Sequence, residues 1–376
     1  MKRIFLISGD FIGLGKEEVI SLLDIDDYEI NERLLIAETN ENKLRQNCHR
    51  LALTKNIFKH LFECKIIDLI SMMEKFPWNS IYKDSFCLRI HNFNNRLNSI
   101  KKPIKINKKS LTTSGSRQYG GDPLANFSEE SLAKYIWDAV KNPRVDLVNA
   151  NTRIELFICK NKVYCGTMAY ENKEDFESRK SHLRPFSSPS SLHPKIARAL
   201  VNLSGIRKGE SLLDPFCGTG GFLIEAGLMH IKACGYDISK KEVNGCVQNL
   251  KHFKIKKYII KNKNALDINE KIDYVVTDLP YGMNSNVYLE YNEGSINQKS
   301  NKINLKNKKK DSIRNLEKFY FEFLMKLRKA LKKRAVIVFP GYVDYRRILK
   351  KSRFNVEKEF SIYVHRSLTR KIVRIR

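Results

Sequence analysis

Short apolar runs alternate with amphipathic segments along the first 60 residues of the chain. The opening run, KRIFLISG, has the length of a strand, and a helical spacing of apolar positions follows from Lys16 to Leu23. The pattern then predicts a strand from Arg33 to Ala37 and a helix from about Asn42 to Phe58. We therefore expect residues 1–60 to form a small α+β subdomain of ferredoxin-like arrangement.

A second set of helices and strands follows, up to residue 170. The pattern predicts helices over Ile66–Phe76 and Ser128–Val140, and strands over Ser85–Phe93, Arg153–Ile158 and Lys162–Met168. The three residues between the last two strands are typical of a hairpin connection. The segment KKPIKINKKSLTTSGSRQYGGDP, residues 101–123, is basic and rich in glycine, which predicts an exposed loop that could contact phosphates. We assign residues 61–170 to a second α+β domain.

The polar stretch 171–190 lacks periodicity and predicts a domain boundary, with residues 171–185 as the linker. From residue 186 to 376, strands alternate with helices, the first of which spans Pro194–Leu203. This alternation is typical of a doubly wound, mostly parallel α/β sheet of the Rossmann-like type. A lysine-rich stretch, Asn292 to Asn315, breaks the alternation, and we expect it to be irregular and mobile in the free protein.

The charge of the chain changes this picture by indicating a partner. The 376 residues hold 69 Lys and Arg against 41 Asp and Glu, a formal net charge of +28. Residues 301–376 alone hold 24 basic and 6 acidic side chains, so the excess is concentrated at one end. A compositional bias towards Lys, Asn and Ile explains part of the excess but not its location. A polyanionic partner, most simply nucleic acid, explains both.

Other compositional features narrow the class of protein. The sequence has no apolar run of the length of a signal peptide or a membrane span, so we expect a cytoplasmic protein without a membrane partner. None of the eight cysteines forms a CxxC pair or stands at ligand spacing from a histidine. We therefore expect reduced, mostly buried thiols and no metal site.

A glycine turn after an apolar run indicates a cofactor site. In SLLDPFCGTGGFLIEAG, residues 211–227, a strand ends at Asp214 and a turn of Gly218, Thr219 and Gly220 leads into an amphipathic helix. Such a turn lets backbone N–H groups approach a ligand. A dinucleotide fingerprint requires a small residue where this chain has Leu223, which leaves NAD as the weaker alternative. S-adenosylmethionine, with Asp214 near its amino group, is the stronger one.

The next two predicted strands carry polar side chains at their carboxyl ends. Asp237 ends the second strand, where a carboxylate can accept both ribose hydroxyls of a nucleoside. Asn264 follows the third strand, where its amide can meet the adenine edge. We include the neighbouring residues in the candidate cofactor site, namely Phe216, Ile238 and Ala265.

The stretch TDLPYG, residues 277–282, ends the fourth strand and faces the same crevice under the switch-point rule. An exocyclic base amine is a poor nucleophile because its lone pair is delocalised into the ring. Asp278 and the carbonyl of Leu279, held by Pro280, can accept its two N–H bonds and free that lone pair. Tyr281 offers a face for a base turned out of its stack. Alone, the same residues form an ordinary turn.

Together these motifs resemble a known family. DPFCGTGGFLIEAG, TDLPYG, RPFSSPSSLHPKIARALVNL (184–203) and HRSLTRKI (365–372) are similar to the archaeal tRNA guanine-10 N2-methyltransferases. The segment 141–170 resembles the end of the THUMP domain that precedes the class I methyltransferase domain in that family. The resemblance implies a tRNA partner, with the THUMP domain, residues 61–170 here, on its acceptor end.

The resemblance also implies roles for single residues. Phe186, Ser190 and Ser191 would line the methionine end of S-adenosylmethionine, whereas Asp214 and the glycine turn would hold it from below. Asp237 would bind its ribose and Asn264 its adenine. Three residues match the family's amine-binding tetrapeptide, namely Asp278, Pro280 and Tyr281. The family usually has proline where this chain has Leu279, so we expect Leu279→Pro to raise activity. Many relatives have an acid in place of Asn264.

Several functions remain open at this point. The preferred one is methylation of the exocyclic N2 of a guanosine in tRNA, at position 10, by a monomeric enzyme. Methylation of another tRNA or ribosomal RNA guanosine requires the same site, and a DNA amino-methyltransferase uses the same tetrapeptide but leaves the amino-terminal domain without a role. A catalytically silent RNA-binding scaffold would require neither the tetrapeptide nor the glycine turn.

Overall fold

The computed structural model describes residues 1–94, 127–187, 191–282, 304–366 and 368–376. The basic loop at 101–123 and the candidate residue Ser190 lie outside the described residues. In chain order the first elements are β1 (Lys2–Ile7), α1 (Ile12–Leu23), β2 (Tyr28–Asn31), β3 (Leu34–Glu38), α2 (Glu41–Asn47), β4 (Thr54–Lys65), α3 (Leu69–Lys75), β5 (Phe86–Asn92), α4 (Glu129–Ala139), β6 (Thr152–Cys159) and β7 (Lys162–Glu171). The later elements are α5 (Pro194–Leu203), β8 (Ser211–Asp214), α6 (Gly221–Leu228), β9 (Lys232–Asp237), α7 (Lys240–His252), β10 (Tyr258–Asn262), β11 (Ile272–Asp278), α8 (Asn304–Ala330), β12 (Leu331–Pro340), α9 (Tyr345–Lys351), β13 (Val356–His365) and β14 (Leu368–Ile375).

The chain forms two compact units that are discontinuous in sequence. One comprises residues 1–6, 27–39 and 55–171, and the other comprises residues 7–26, 40–54 and 172–376. These units cut across the linear ranges predicted from the sequence. The reason is α1, whose Leu14 shares a buried apolar cluster with Leu200 and other residues of α5. Burial of its apolar face thus places an amino-terminal helix in the second unit.

The first unit is built on a seven-stranded sheet in the order β2-β3-β1-β4-β7-β6-β5. The β6–β7 hairpin is antiparallel as predicted, and β5 pairs with β6 in parallel. Helices α3 and α4 cover part of this sheet, because Leu69, Met73, Leu132 and Ile136 are buried together against its strands. Trp78 completes the cluster and donates its indole N–H to the carbonyl of Met73 at 2.7 Å.

The second unit contains the predicted doubly wound sheet. Its strand order is β10-β9-β8-β11-β12-β14-β13, and the first five strands run parallel. Strand β14 pairs antiparallel with both β12 and β13. Strands β9 and β10 follow β8 towards one edge of the sheet, whereas β11 and β12 lie on its other side. The direction of winding therefore reverses between β8 and β11, and the crevice at their carboxyl ends is the switch point.

Helices cover both faces of this sheet. Neighbouring residues on one strand enter different cores: Val275 packs with Phe323 of α8, whereas Val276 packs with Leu200 of α5. In β12, Ile337 likewise belongs to the core with Phe323, and Val338 belongs to the core with Leu200. This alternation of buried side chains is expected for a strand that is covered on both faces. The α/β fold class predicted from the sequence is confirmed.

Two predicted elements are wrong in part. The helix predicted from Asn42 to Phe58 ends at Asn47, and β4 begins at Thr54. Ile57 and Phe58 are fully buried in β4, which pairs with β7. Pairing within the sheet therefore decides the structure of a segment whose apolar spacing alone indicated a helix.

The second correction concerns the lysine-rich stretch 292–315. Its residues from Asn304 onwards form the start of α8, a helix of 27 residues, so the expectation of irregular structure is wrong there. Leu316, Phe319, Tyr320 and Phe323 are buried at helical spacing further along α8. The lysines extend this anchored helix, because lysine has a high helix propensity. Residues 292–303 lie outside the described residues.

Two further findings bear on the expected class of protein. Within the ranges described above, no helix is long and apolar enough to cross a membrane. The eight cysteines are all free thiols, and those at positions 87, 159, 165, 217 and 246 are buried.

Candidate active site

The sheet brings the first and fourth predicted site strands together. Strands β8 and β11 are parallel neighbours, with Leu213 opposite Val275. Asp214 at the end of β8 therefore lies beside the end of β11, and Thr277 donates its hydroxyl to Asp214 Oδ1 at 2.6 Å. The backbone N–H of Phe216 donates to the same oxygen at 3.1 Å. These two hydrogen bonds fix the carboxylate below the glycine turn.

The glycine turn has the backbone conformation that its sequence requires. Gly218 and Gly220 have φ of +46° and +86°, which disfavours residues with a Cβ. A Cβ on Gly220 would lie 2.7 Å from Cys246 Sγ, so this glycine is also needed for close packing on α7. A Cβ on Gly218 would meet no atom within 4 Å. The space beside Gly218 is therefore open, and a ligand can approach its backbone closely.

Asp237, at the end of β9, is hydrogen-bonded to the glycine turn. Its two carboxylate oxygens accept the N–H groups of Gly218 and Ser239, each at 2.9 Å. Each oxygen keeps further acceptor capacity, which suits a pair of ribose hydroxyls. Burial raises the pKa of Asp237, although both backbone hydrogen bonds oppose this effect. The predicted neighbour Ile238 is half-buried, and its carbonyl accepts the side-chain amide of Asn262 at 2.7 Å.

Asn264 lies after the edge strand β10 and is half-buried. Its side-chain oxygen accepts the N–H of Leu266 at 2.9 Å, which starts the short turn that contains the buried Ala265. The amide NH₂ of Asn264 is therefore the group that can face a ligand. An aspartate at this position would supply a second acceptor instead.

Phe216 and Phe186 lie on different sides of the turn. The Phe216 ring packs edge-on against Phe323 of α8, with centroids 5.0 Å apart. The Phe186 ring packs on α7, where a Cβ on Gly245 would lie 2.1 Å from its Cδ1 atom. Both rings are half-buried. The structure thus anchors each predicted aromatic on a helix that flanks the crevice.

A buried asparagine, which the sequence did not indicate, ties Phe186 to the glycine turn. Asn249 of α7 is fully buried and donates its amide to the carbonyls of Phe186 and Thr219, at 2.8 and 3.0 Å. Its side-chain oxygen accepts the N–H of Phe186 at 3.0 Å. Ser191 reaches the same turn, because its hydroxyl lies 3.2 Å from that of Thr219.

The tetrapeptide at the end of β11 combines a half-buried acid with a fixed backbone. Burial raises the pKa of Asp278 to about 6, although the charge of Arg370 and the hydroxyl of Tyr281 oppose this effect. Burial likewise raises the pKa of Asp214 to about 7, and the nearby carboxylates of Asp237 and Asp278 add to that rise. Perturbed carboxyl groups in one crevice are typical of functional sites.

Tyrosine hydroxyls hold the backbone that follows Asp278. Tyr320 of α8 donates to the carbonyl of Pro280 at 2.5 Å, and Tyr342 donates to the carbonyl of Tyr281. In the part of the chain that the structure describes, no group donates to the carbonyl of Leu279. This carbonyl is the second acceptor that the sequence predicted for a base amine.

Pro340 explains why the Leu279 carbonyl accepts no bond from β12. The N–H of Leu279 donates to the carbonyl of Val338 at 3.1 Å, as the parallel pairing of β11 with β12 requires. The next bond of such a ladder would run from the N–H of residue 340 to the carbonyl of Leu279. Residue 340 is proline and has no N–H. The ladder therefore stops one bond short and leaves an acceptor at the edge of the crevice.

The side chain of Leu279 has a structural role as well. It is only 1% exposed and belongs to the core formed with α8. Proline at this position would lose the N–H bonded to Val338 and would fill the core less well. The structure therefore opposes our expectation that Leu279→Pro raises activity.

Arg370 of β14 completes the site. It donates its Nε–H to the Tyr281 hydroxyl at 2.9 Å, and the same nitrogen lies 3.7 Å from Asp278 Oδ2. The Tyr281 hydroxyl in turn donates to Asp278 Oδ1 at 2.5 Å. The guanidinium carbon lies 5.7 Å from the centroid of the Tyr281 ring. Arg370 thus fixes the tyrosine and favours the ionised form of the acid.

Sequence reasoning missed several of these contributors for one reason. Asn249, Tyr320, Tyr342 and Pro340 act through elements remote in sequence, and no local motif marks them. The sequence did mark the region of Arg370, because this residue lies in the segment HRSLTRKI that resembles the family. The sequence indicated no role for the arginine itself.

Fold and site together define the class of this protein. A sheet of this order has an acid at the end of its second strand, an open glycine turn, and the sequence Asp-Leu-Pro-Tyr at the end of its fourth strand. These features are typical of a class I methyltransferase. The family model described as "RMKL-like, methyltransferase domain" matches residues 181–287.

Two curated relatives, both named tRNA (guanine(10)-N2)-dimethyltransferase, are similar to most of the chain. The one from Methanothermobacter thermautotrophicus is 31% identical over 328 residues, which cover 86% of this chain and 82% of the relative. The one from Methanocaldococcus jannaschii is 28% identical over 302 residues, which cover 75% of this chain and 82% of the relative. The chain belongs to the archaeal tRNA guanine-10 N2-methyltransferase family. Among solved structures, TrmN from Thermus thermophilus covers 100% of the chain, and 99% of its own, at 15% identity and a TM-score of 0.48.

Proposed function

We propose that the protein transfers methyl groups from S-adenosylmethionine to the exocyclic N2 of guanosine 10 in tRNA. The observation that carries the proposal is the acceptor pair at the end of β11, the Asp278 carboxylate and the Leu279 carbonyl. The names of the two curated relatives support the substrate and the position. Their dimethyltransferase activity supports the addition of two methyl groups.

The acceptor pair suits an amine bound by both of its N–H groups. The ionised Asp278 carboxylate accepts one N–H, and the Leu279 carbonyl accepts the other. Together they draw the nitrogen towards tetrahedral geometry and free its lone pair. Because the pKa of Asp278 is about 6, this acid is ionised above that pH and can perform its role at neutral pH.

The open glycine turn fits S-adenosylmethionine at the other side of the crevice. Asp237 would accept the ribose hydroxyls, Asn264 would donate its amide to the adenine, and Gly218 would let the cofactor approach the backbone. Asp214, Phe186 and Ser191 would surround the amino-acid part. When bound, the cofactor would supply an electrophilic methyl group on its sulfonium, with the S–C electron pair returning to sulfur as the amine lone pair forms the N–C bond. The Asp278 carboxylate, which accepts an N–H of the same nitrogen, would take the proton that the methylated nitrogen loses.

The basic composition supports tRNA as the substrate. The carboxyl-terminal excess of 24 basic over 6 acidic residues suits a phosphate backbone. We assign residues 61–170 to a THUMP domain on the acceptor end of tRNA, on the resemblance of residues 141–170. The ranges 1–60 for an amino-terminal subdomain and 186–376 for the methyltransferase domain remain predictions from the sequence, and residues 7–26 and 40–54 belong to the second compact unit.

Transfer of labelled methyl groups to tRNA transcripts tests this function. A transcript with guanosine at position 10 should accept label, whereas a transcript with inosine there, which lacks the N2 amine, should not. A G10-to-A transcript serves as a second control. Label on the inosine transcript would move the target to another guanosine. No label on any transcript, together with tight tRNA binding, would favour a silent RNA-binding scaffold.

A further inference from the structure

An exposed tyrosine lies at the end of β13, at the carboxyl edge of the second sheet. Tyr363 is 68% exposed, and within the described part of the chain its side chain makes no hydrogen bond, ion pair or ring contact. The preceding residue, Ile362, is buried in the core with Leu200, so alternation along the strand directs Tyr363 to the opposite face. A single exposed ring needs no explanation, but a second one lies beside it.

The second exposed tyrosine is Tyr342, which is 43% exposed and follows the end of β12. In the pairing of β13 with β14, Tyr363 is opposite Thr369, whose carbonyl accepts the N–H of Gly341 at 2.7 Å. A Cβ on Gly341 would lie 3.1 Å from the Cβ of Thr369. Strands are spaced by about 4.8 Å, so the backbones of Gly341 and Tyr363 are about 10 Å apart. The two tyrosines, called the tyrosine pair below, therefore flank a surface formed by Thr369 and Gly341.

The tyrosine pair is continuous with the tetrapeptide at the end of β11. Tyr342 donates its hydroxyl to the carbonyl of Tyr281, and Arg370, the neighbour of Thr369 in the chain, donates to the Tyr281 hydroxyl at 2.9 Å. A substrate that follows the edge of the sheet from Tyr281, away from the glycine turn, meets Tyr342 first and Tyr363 next.

The charges around the tyrosine pair suit a phosphate backbone. Lys371 bonds the hydroxyl of Ser361 at 2.9 Å, and neither Lys371 nor the exposed Arg366 has a carboxylate partner among the described residues. The acids in the same segments, Glu359 and Asp344, are each paired with an arginine of α9. Aromatic rings beside positive charges without partners are the combination with which proteins bind unstacked nucleotides.

A base that is turned out of its stack leaves its neighbours with an uncovered face. We propose that the tyrosine pair stacks on a nucleotide that flanks the target guanosine and has lost its stacking partner. Tyr363 makes the main contact, and Lys371 and Arg366 bind the adjoining phosphates. This inference rests on the proposed function and adds to it a recognition surface outside the cofactor crevice.

Two measurements on full-length variants test this surface, namely the affinity for tRNA and kcat/KM for labelled methyl transfer. Stacking of a base on an aromatic ring contributes about 5- to 150-fold to affinity, so Tyr363→Ala should lower both values by a factor in this range. Tyr363→Phe should keep both values. Tyr363→Leu, which is apolar but has no ring, should lose as much as Tyr363→Ala. The affinity for S-adenosylhomocysteine should stay at the wild-type level in all three variants.

Val356→Ala is the matched control, because Val356 is 37% exposed at the opposite end of the same strand. It should keep the wild-type affinity for tRNA, and a loss as large as that of Tyr363→Ala would overturn the proposal. Unchanged affinity in Tyr363→Ala would overturn it in favour of a protein partner, and full affinity in Tyr363→Leu would overturn stacking. Binding of tRNA that depends on Tyr363, without methyl transfer by the wild type, would support the surface and refute the proposed function.

Discussion

Arg370 should control the pH at which the enzyme becomes active. Its Nε lies 3.7 Å from Asp278 Oδ2, and it stabilises the ionised carboxylate that we propose accepts an N–H of the base. With Arg370 present, the pKa of Asp278 is about 6, above the ordinary value because burial outweighs the arginine. Arg370→Gln removes the opposing charge, so the pKa of Asp278 should rise further.

The size of this rise follows from the distance. Two unit charges 3.7 Å apart interact with about 1 kcal/mol in water and about 4.5 kcal/mol at an effective permittivity of about 20. The side chains of Asp278 and Arg370 are 20% and 10% exposed, so solvent screens part of the interaction. An interaction of about 1 to 2.5 kcal/mol corresponds to about 1 to 2 pH units. The acid limb of activity should therefore move from near pH 6 to about pH 7 to 8.

The assay is kcat/KM for labelled methyl transfer to tRNA between pH 5 and 9.5, because this ratio reports the pKa of the free enzyme. In Arg370→Gln the acid limb should shift to higher pH, and activity should recover in part at pH 9. Arg370→Lys keeps the charge and should leave the limb near pH 6. A uniform loss in Arg370→Gln with an unchanged limb would show that Arg370 acts only through Tyr281, and would refute the electrostatic argument.

Three further predictions concern the same edge of the sheet. Asp214→Asn should stabilise the protein by about 2 to 4 kcal/mol at pH 8 but not at pH 4, measured by denaturant unfolding. The pKa of Asp214 is raised to about 7 in the folded protein, so its contribution to stability is fully present below its ordinary pKa, where the acid is protonated. This contribution is lost as the pH rises to about 7, because the folded protein must then hold a buried carboxylate. An equal gain at both pH values would contradict this. Pro340→Ala supplies the N–H that the Leu279 carbonyl lacks, and the new bond should lower kcat about tenfold with little change in KM. Unchanged kcat would mean that this carbonyl is not an acceptor for the base. Leu279→Pro should lower the free energy of unfolding by about 1 to 3 kcal/mol, through the bond lost to Val338 and poorer packing. A more stable or more active Leu279→Pro variant would show that the core tolerates the exchange.

The sequence correctly placed three candidate site residues at strand ends. Asp214, Asp237 and Asp278 each end an apolar run, and parallel strands bring their carboxyl ends to one edge. The local pattern of apolar residues and the switch-point rule were sufficient to predict that these three acids lie at one edge of the sheet. The glycine turn was equally visible, because its positive φ values leave few alternatives to glycine.

Other features depend on contacts between distant segments. The Leu279 carbonyl accepts no bond from β12 because of Pro340, which local sequence marks only as the end of a strand. The course of residues 40–60 depends on pairing with β7, and the start of α8 depends on anchoring further along the helix. Spacing within a window of residues contains none of this information.

The proposed function requires that the Asp278 and Leu279 acceptor pair makes the N2 amine of guanosine 10 nucleophilic. The most direct test is mass spectrometry of nucleosides from tRNA treated with the enzyme, with the modified nucleotide mapped along the chain. We expect N2-methylated and N2,N2-dimethylated guanosine at position 10, and neither product with Asp278→Asn at pH 8. A methyl group on another atom or at another position, or undiminished product with Asp278→Asn, would contradict it.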